Sequence, residues 1–337
     1  MPRLLFVTEE QGYGGIHTVS RQLTEALGAQ GWSVECLPLR GPKATWGRLW
    51  RRARQADVLL ASNNFLPAYV AVLTGLAMRR PSVVWVHGPL QDVLGSARPF
   101  GLKHLWLQWV YRRATMRVCV SHNTRRSLQD WLSADDLPVE VVHNPAPVPS
   151  LPSSAAKGGL RLGFVGRLSA EKRPGMLLQT LQLLPTSYHL TIVGDGPLMP
   201  DLQRAGAELM AQGRLRFAGA LPADSHLYGS WDLTLVCSAF EGYPMVALES
   251  LAAGVACVST PLPAMQELLG PEAPGWTARD DSAQALAEVV ERTLRAPPMD
   301  RCRRAHARAL AHDPARFAQL WHGLLQCLVS EFRRGGP

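Results

Sequence analysis

The residues best placed to do chemistry in this chain are two glutamates, Glu241 and Glu249, and two cations, Arg167 and Lys172. The glutamates bound the stretch Glu241-Gly242-Tyr243-Pro244-Met245-Val246-Ala247-Leu248-Glu249. A short apolar run, Asp232 to Val236, precedes it and reads as a buried strand; an alanine-rich apolar segment follows as far as Gly254. The pattern predicts strand, loop, helix. Pro244 falls at the first helical position, where its missing N–H costs nothing, and Gly254 falls where a left-handed C-terminal cap belongs. Glu241 then lies in the loop at the positive end of the helix and Glu249 lies inside it. One carboxylate faces a ligand at the helix mouth and the other reaches it from the side. The backbone from Gly242 through Tyr243, Pro244, Met245 and Val246 brings free N–H groups to the same space, which suits a phosphate. Two glutamates at this spacing also occur in many solvated helices. The apolar setting of Glu249, where an unpaired carboxylate is costly, favours a ligand.

The cations sit in a comparable place. Leu160 to Arg167 reads as a strand, and Lys172 opens the helix after it. Both can face the crevice at the strand end, where a planar guanidinium and a compact ammonium suit a diphosphate. Surface Arg and Lys are otherwise simply solvated. Near the start of the chain, Leu4 to Thr8 leads into Gly12-Tyr13-Gly14-Gly15 and then an amphipathic helix, a place where backbone can approach a phosphate or merely turn tightly. The strand Ser82 to Val86 ends in His87, which at the carboxyl end of a parallel strand points to the ligand side of the sheet or serves the structure there.

The Glu241–Glu249 segment resembles the E-x7-E signature of retaining glycosyltransferases of family 4, which have the GT-B fold. Gly163-Phe164-Val165-Gly166-Arg167-Leu168-Ser169-Ala170-Glu171-Lys172 resembles the family's G-R-L-x-x-E-K motif, and Val193-Gly194-Asp195-Gly196-Pro197 its V-G-D-G-P turn. The likeness is strong over residues 160–268 and weaker over 1–145. It implies an α/β chain of two Rossmann-like doubly wound domains facing across a cleft. It also implies transfer of a hexose from a nucleotide diphosphate sugar, a UDP-sugar, to a hydroxyl of a glycan or lipid-linked acceptor. A sugar-nucleotide epimerase of the same architecture is the alternative. The resemblance implies that Glu241 meets the donor sugar and Glu249 the ribose, with His87 positioning the sugar. Arg167 and Lys172 hold the diphosphate, Gly14 and Gly15 approach the donor phosphate, and Leu221 lies by the base. Asp195 reads as a cap for the helix after Pro197. No metal or cofactor is expected: D-x-D is absent, and the two cations plus a helix N-terminus can do that work.

The elements that must position these groups can be read as two alternating strand–helix runs. Residues 1–145 form an N-terminal acceptor-side domain, 146–159 a Pro- and Ser-rich linker, and 160–312 a nucleotide-sugar-binding domain. By the resemblance, a last helix, 313–337, crosses back to the first domain. The chain has 337 residues, 47% of them hydrophobic, which is enough for two cores. A dinucleotide fingerprint fails because His17 stands where its third glycine belongs. The six cysteines are scattered without C-x-x-C and read as reduced thiols, so a cytoplasmic chain without a leader is expected. The apolar run Phe65 to Met78 is too short to span a bilayer and reads as a buried helix.

The net charge of +8 is lopsided: residues 1–150 hold 17 basic against 10 acidic residues, and seven of the ten tryptophans. Such a balance suggests an anionic surface or substrate. The segment around Trp46, Arg48, Trp50, Arg51 and Arg52 reads as a basic amphipathic helix suited to anionic lipid. A second runs from Gly101 to Arg117, with Leu102, Leu105, Trp106, Trp109 and Val110 on one face and Arg112, Arg113 and Arg117 behind. Both stripes can equally pack on a core. The expectation is peripheral attachment at the inner face of the cell membrane, with no nucleic-acid partner.

Overall fold

The structure, a computed structural model, describes residues 1–9, 14–40, 46–94, 101–134, 136–149, 160–221 and 225–335. Gly12, Tyr13, Pro222 and most of the expected linker lie outside them, as do the side chains of Trp46 and Leu102.

The chain forms two compact units, Met1–Asn144 with Ala315–Pro337, and Pro145–Pro314. In the first, β1 (Arg3–Thr8), α1 (Gly15–Ala29), β2 (Ser33–Pro38), α2 (Trp46–Gln55), β3 (Val58–Ala61), α3 (Leu66–Met78) and β4 (Ser82–Val86) alternate. Then come α4 (Leu90–Leu94), α5 (Leu102–Arg113), β5 (Met116–Cys119), α6 (His122–Leu132) and β6 (Val139–Val141). The six strands form a parallel sheet in the order β2-β1-β3-β4-β5-β6. β3 and β4 are buried along their whole length, as strands covered on both faces must be.

Alternation along the strands sorts their side chains between two layers. Leu5, Val7, Leu59, Ala61, Val84 and Val86 share one core with residues of α2, α3, α5 and α6. Phe6 and Trp85 point the other way, their rings 6.5 Å apart. The long last helix of the chain, Pro314–Gly335, lies on that side: Trp321 and Phe317 pack on Trp85 at 4.9 and 6.3 Å. Trp32 Nε1 donates to His322 Nδ1 at 3.1 Å, and Arg333 reaches Asp57 at 2.7 Å, so this helix belongs to the first core.

The second unit runs β7 (Leu160–Val165), α7 (Pro174–Leu183), β8 (Tyr188–Val193), α8 (Met199–Ala205), α9 (Ala207–Ala211), β9 (Leu215–Gly219) and α10 (Ser225–Gly229). It continues through β10 (Leu233–Val236), α11 (Met245–Ala252), β11 (Cys257–Ser259), α12 (Pro263–Leu269), α13 (Ala273–Trp276), α14 (Ala283–Leu294) and α15 (Pro298–Leu310). The last helix is α16. The second sheet is also parallel, in the order β11-β10-β7-β8-β9. Both sheets are the Rossmann-like kind expected of GT-B.

Candidate functional site

The order of the second sheet decides where its functional groups meet. The chain steps outward from β7 to β8 and β9, then returns to the far side of β7 for β10. The loops leaving β7 and β10 therefore diverge and open the crevice at which such sheets bind ligands. Arg167 and Lys172 follow β7, and Glu241 and Gly242 follow β10.

Lys172 closes a single 3-10 turn, Ala170–Lys172. Its Nζ donates to Glu241 Oε1 at 2.6 Å, and Ser238 Oγ donates to the same oxygen at 2.6 Å. That leaves Glu241 Oε2 and two of the three ammonium hydrogens for a ligand. Arg167 is exposed, and among the described residues its guanidinium has no acceptor. Cation and carboxylate are thus fixed relative to each other while each keeps spare capacity.

The backbone under this pair is stitched across the two loops. Ala239 N donates to Glu171 O at 2.7 Å, and Cys237 Sγ lies 3.4 Å from Lys172 O. Arg173, which the sequence reading passed over, does most of the fastening. Its Nε donates to Cys237 O and its Nη2 to Ser238 O, both at 2.7 Å, and the guanidinium forks onto both carboxylate oxygens of Asp281. The hydrogen bond to Arg173 holds the Asp281 carboxyl below the usual range. Arg173 adopts φ of +47°, a left-handed conformation that a non-glycine residue takes only when its surroundings enforce it. The one sequence signal for it was its position directly after Lys172.

A second turn holds Arg167. Gly194 has φ of +136°, and a Cβ there would lie 1.9 Å from Gly166 O, so only glycine lets the Gly194–Gly196 turn lie on the β7 loop. Leu168 N donates to Asp195 O at 2.9 Å. Asp195 does not cap α8 as expected. Its carboxylate takes the adjacent amide of Gly196 at 2.7 Å, and Leu198, the residue before α8, has no side-chain cap.

α11 begins one residue later than the sequence suggested. Pro244 is its N-cap, extended at ψ of 119°, and its carbonyl accepts from Ala247 at 3.2 Å. Gly254, past the end, has the expected left-handed φ of +75°. Among the described residues the amides of Gly242, Met245 and Val246 have no backbone acceptor, as befits a helix N-terminus. The Tyr243 phenol turns inward to His312 Nε2 at 2.6 Å, leaving only its backbone near that terminus. Glu249 lies partly buried on α11 and accepts from Tyr228 OH at 2.7 Å. Burial pushes its carboxyl up to about 7, against the lowering effect of that hydrogen bond. Tyr228 was also missed; nothing local marks it, because it reaches Glu249 from α10. Leu221 is 46% exposed just past β9.

Gly14, Gly15 and His87 lie in the first unit. Gly14 precedes α1 with φ of +132°, and Gly15 is the first helical residue, beyond the end of β1. β1 and β3 flank the switch point of that sheet. His87 follows β4 with its ring 4.4 Å from that of Trp85. Burial drives its pKa down to about 3, so the imidazole is neutral. A hydrogen bond to the Ser62 backbone opposes that shift, which requires the ring to donate. Nε2 is buried without a partner among the described residues and is therefore the nitrogen left to accept.

The two basic helices divide differently from expectation. On α2, Leu49 and Ala53 enter the core, Trp50 stays 43% exposed, and Arg48, Arg51 and Arg52 are exposed, Arg52 pairing with Glu35 at 2.6 Å. On α5, Val110 is buried beside Leu107 and Tyr111, while Leu105, Trp106 and Trp109 face outward. Arg117 is not behind this helix. It is buried in β5, where its guanidinium donates to Tyr111 O and Arg112 O at 2.7 Å each and so caps the last turn of α5. Among the described residues no helix is long and apolar enough to cross a membrane.

The chain is similar in sequence and fold to known proteins. The family model for glycosyl transferases group 1 matches residues 159–296, and that for Glycosyltransferase Family 4 matches residues 37–148. The 2-deoxystreptamine glucosyltransferase of Streptomyces kanamyceticus is 27% identical over 208 residues, 56% of this chain and 54% of that protein. The lipopolysaccharide 1,6-galactosyltransferase of Salmonella typhimurium is 31% identical over 138 residues, 38% of each chain. The chain thus spans about half or less of these relatives. The solved structure of HepE from Anabaena in complex with UDP-glucose superimposes with a TM-score of 0.80 at 16% identity, over 96% of this chain and 99% of that one.

Proposed function

From the premise that this chain is a glycosyltransferase of the group 1 and family 4 kind, whose models match residues 159–296 and 37–148 respectively, we propose how it transfers a sugar. The donor is a nucleotide diphosphate sugar, specifically a UDP-hexose, and the acceptor is a hydroxyl of a glycan or lipid-linked saccharide. The observation that carries this reading is the Lys172–Glu241 contact of 2.6 Å at the switch point of the second sheet, on the loops that also carry Arg167 and the amides at the start of α11, which have no acceptor among the described residues. The UDP and UDP-glucose bound by the Anabaena neighbour support the choice of donor.

In this mechanism the bond from the anomeric carbon to the diphosphate oxygen breaks as charge grows on that oxygen. Lys172, Arg167 and the amides of Gly242, Met245 and Val246 stabilise the charge without a metal. A single preorganised donor of this kind is worth ~10²–10³ in rate. Glu241 Oε2 accepts from sugar hydroxyls. Glu249 takes the ribose hydroxyls and Leu221 lies by the base. The acceptor oxygen attacks from the face the diphosphate leaves. Its proton passes to the departing phosphate oxygen, so the configuration at the anomeric carbon is retained and no enzymatic nucleophile is needed.

A thermal-shift series with UDP-, GDP- and ADP-sugars tests donor class; ligand at 100 times its dissociation constant stabilises by ~2.7 kcal/mol. Lys172→Ala, Glu241→Ala and Glu249→Ala are each expected to cripple transfer, and a chelator to leave the wild-type rate unchanged. Full transfer by all three variants would refute the site.

A further inference from the structure

Three neighbouring helices of the first unit present an outer face that its core does not use. α3 packs against both α2 and α5, and all three contribute to the core over one face of the first sheet. Their outward side chains include Trp50 at 43% exposure, Leu73 and Leu76 at 37% and 45%, and Leu105, Trp106 and Trp109 at 59%, 48% and 37%. The Trp106 and Trp109 rings stack, 5.0 Å apart and 12° from parallel, and the Arg113 guanidinium lies 5.4 Å from the Trp109 ring centre.

The charges carried by the helices themselves are of one sign, with Arg52 paired to Glu35 of β2 at 2.6 Å. α2, α3 and α5 hold no aspartate or glutamate, whereas α2 carries four arginines and α5 carries Lys103, Arg112 and Arg113. Arg79 and Arg80 directly follow α3. Exposed apolar groups in company of this kind mark an interaction surface. Tryptophan prefers the headgroup level of a bilayer, cations are drawn to anionic lipid, and an amphipathic helix lies in the plane between them. A second copy of this chain is a poor occupant. A two-fold contact would set the same patch against itself, cation facing cation.

We infer that this face docks on an anionic lipid bilayer, with Trp106 and Trp109 of α5 seated at headgroup level and the arginines of α2 and α5 around them. α5 supplies the apolar anchor because Leu49 and Ala53 of α2 are spent in the core. The inference deepens the proposed lipid-linked acceptor, which would be met at that surface, and it uses none of the donor-site residues.

The test is co-sedimentation of the full chain at low salt with vesicles of phosphatidylcholine alone and of phosphatidylcholine mixed with phosphatidylglycerol. Wild type is expected to pellet with the mixed vesicles only. The double variant Trp106→Ser, Trp109→Ser should bind them about tenfold more weakly or worse. Leu105→Asp, which sets one negative charge at the most exposed position of the patch, should do the same. Each variant should keep the thermal shift that UDP gives wild type, which reports an intact fold and donor site. Wild type failing to bind the mixed vesicles, or both variants binding as wild type does, would overturn the inference. So would a wild-type dimer in lipid-free buffer that the double variant dissociates. Loss of the UDP shift in Lys172→Ala with vesicle binding intact would separate this surface from the donor site. A wild type that docks but never responds to a nucleotide sugar would sink the donor reading alone.

Discussion

Lys172 closes a single 3-10 turn and Arg51 lies within α2, and the settings of these two cations are opposite. Lys172 is pinned at 2.6 Å to a carboxylate that is itself held by Ser238, on loops laced together by Arg173. Arg51 stands exposed on a helix without a single acid, among other arginines that fan to several sides. The first arrangement fixes a charge to a fraction of an ångström and can recognise one small anion in one pose. The second fixes only a sign and suits an extended anionic surface of no particular geometry. The same contrast holds for apolar groups. Exposed large side chains in the second unit, such as Leu183, Met210 and Met299, lie on separate elements, whereas those of the first, Met1 and Leu320 of α16 aside, gather on α2, α3 and α5.

The contrast breaks most visibly if the pinned cation can be lost cheaply. Lys172→Met keeps the length of the side chain and removes the charge, so transfer should fall ~10²–10³-fold with the fold intact. Glu241→Gln should fall comparably, and the double variant should lose far less than the product of the two, because the groups act as one unit. Multiplicative losses measured in steady-state kinetics would mean that the 2.6 Å contact organises nothing. Arg173→Ala comes next. It touches no ligand in this account and acts by positioning the loops, so Asp281→Asn should reproduce a milder version. A fall of ~10–100-fold in kcat, with nucleotide affinity nearly kept, fits a displacement of order 1 Å at the reacting atoms. An equal fall in affinity and kcat would instead place Arg173 on the ligand.

Much of this site was legible in the sequence because its parts are local. The strand–loop–helix signals around Arg167, Lys172 and Glu241 depend on neighbours in the chain, and β4 falls on the very residues its pattern indicated. What escaped depends on distant partners. Arg173 meets Asp281, more than a hundred positions away, and Tyr228 meets Glu249 from another helix. Arg117 looked like one more cation behind the helix, but β5 starts one residue before it and buries it. On α5, spacing correctly gave a helix, but periodicity alone could not say which side of it faces the core. Leu107, Val110 and Tyr111 took that role and left the tryptophans outside.

Glu249 tests the pinned side of the comparison more gently. Burial sets its carboxyl near 7 against a usual 4.5, so between those values the folded chain holds a proton that the unfolded chain has released. Folding stability without ligand should therefore fall as pH rises from about 4.5 to about 7 and then level off. Glu249→Gln should flatten that slope and gain of order 1–3 kcal/mol at alkaline pH. A ribose hydroxyl is held more strongly by the ionised carboxylate than by the protonated acid, so wild-type affinity for UDP should rise several-fold over the same window and the variant's should not. Parallel pH profiles for the two proteins in thermal-shift and binding titrations would remove Glu249 from the ribose.

The smallest effects belong to the diffuse cations, and there additivity is the informative quantity. Near an anionic membrane each arginine contributes about 1 kcal/mol, so Arg51→Gln and Arg54→Gln should each weaken binding to phosphatidylglycerol vesicles about fivefold. Among the described residues neither has a private partner to strand, so the double variant should lose the product of the two within error, unlike the Lys172 and Glu241 pair. Both losses should shrink together as salt shortens the Debye length below ~10 Å, while nucleotide affinity stays level. A single arginine carrying the whole effect, or a loss insensitive to salt in vesicle titrations, would mean that α2 meets a specific ligand and that its cations resemble Lys172 after all.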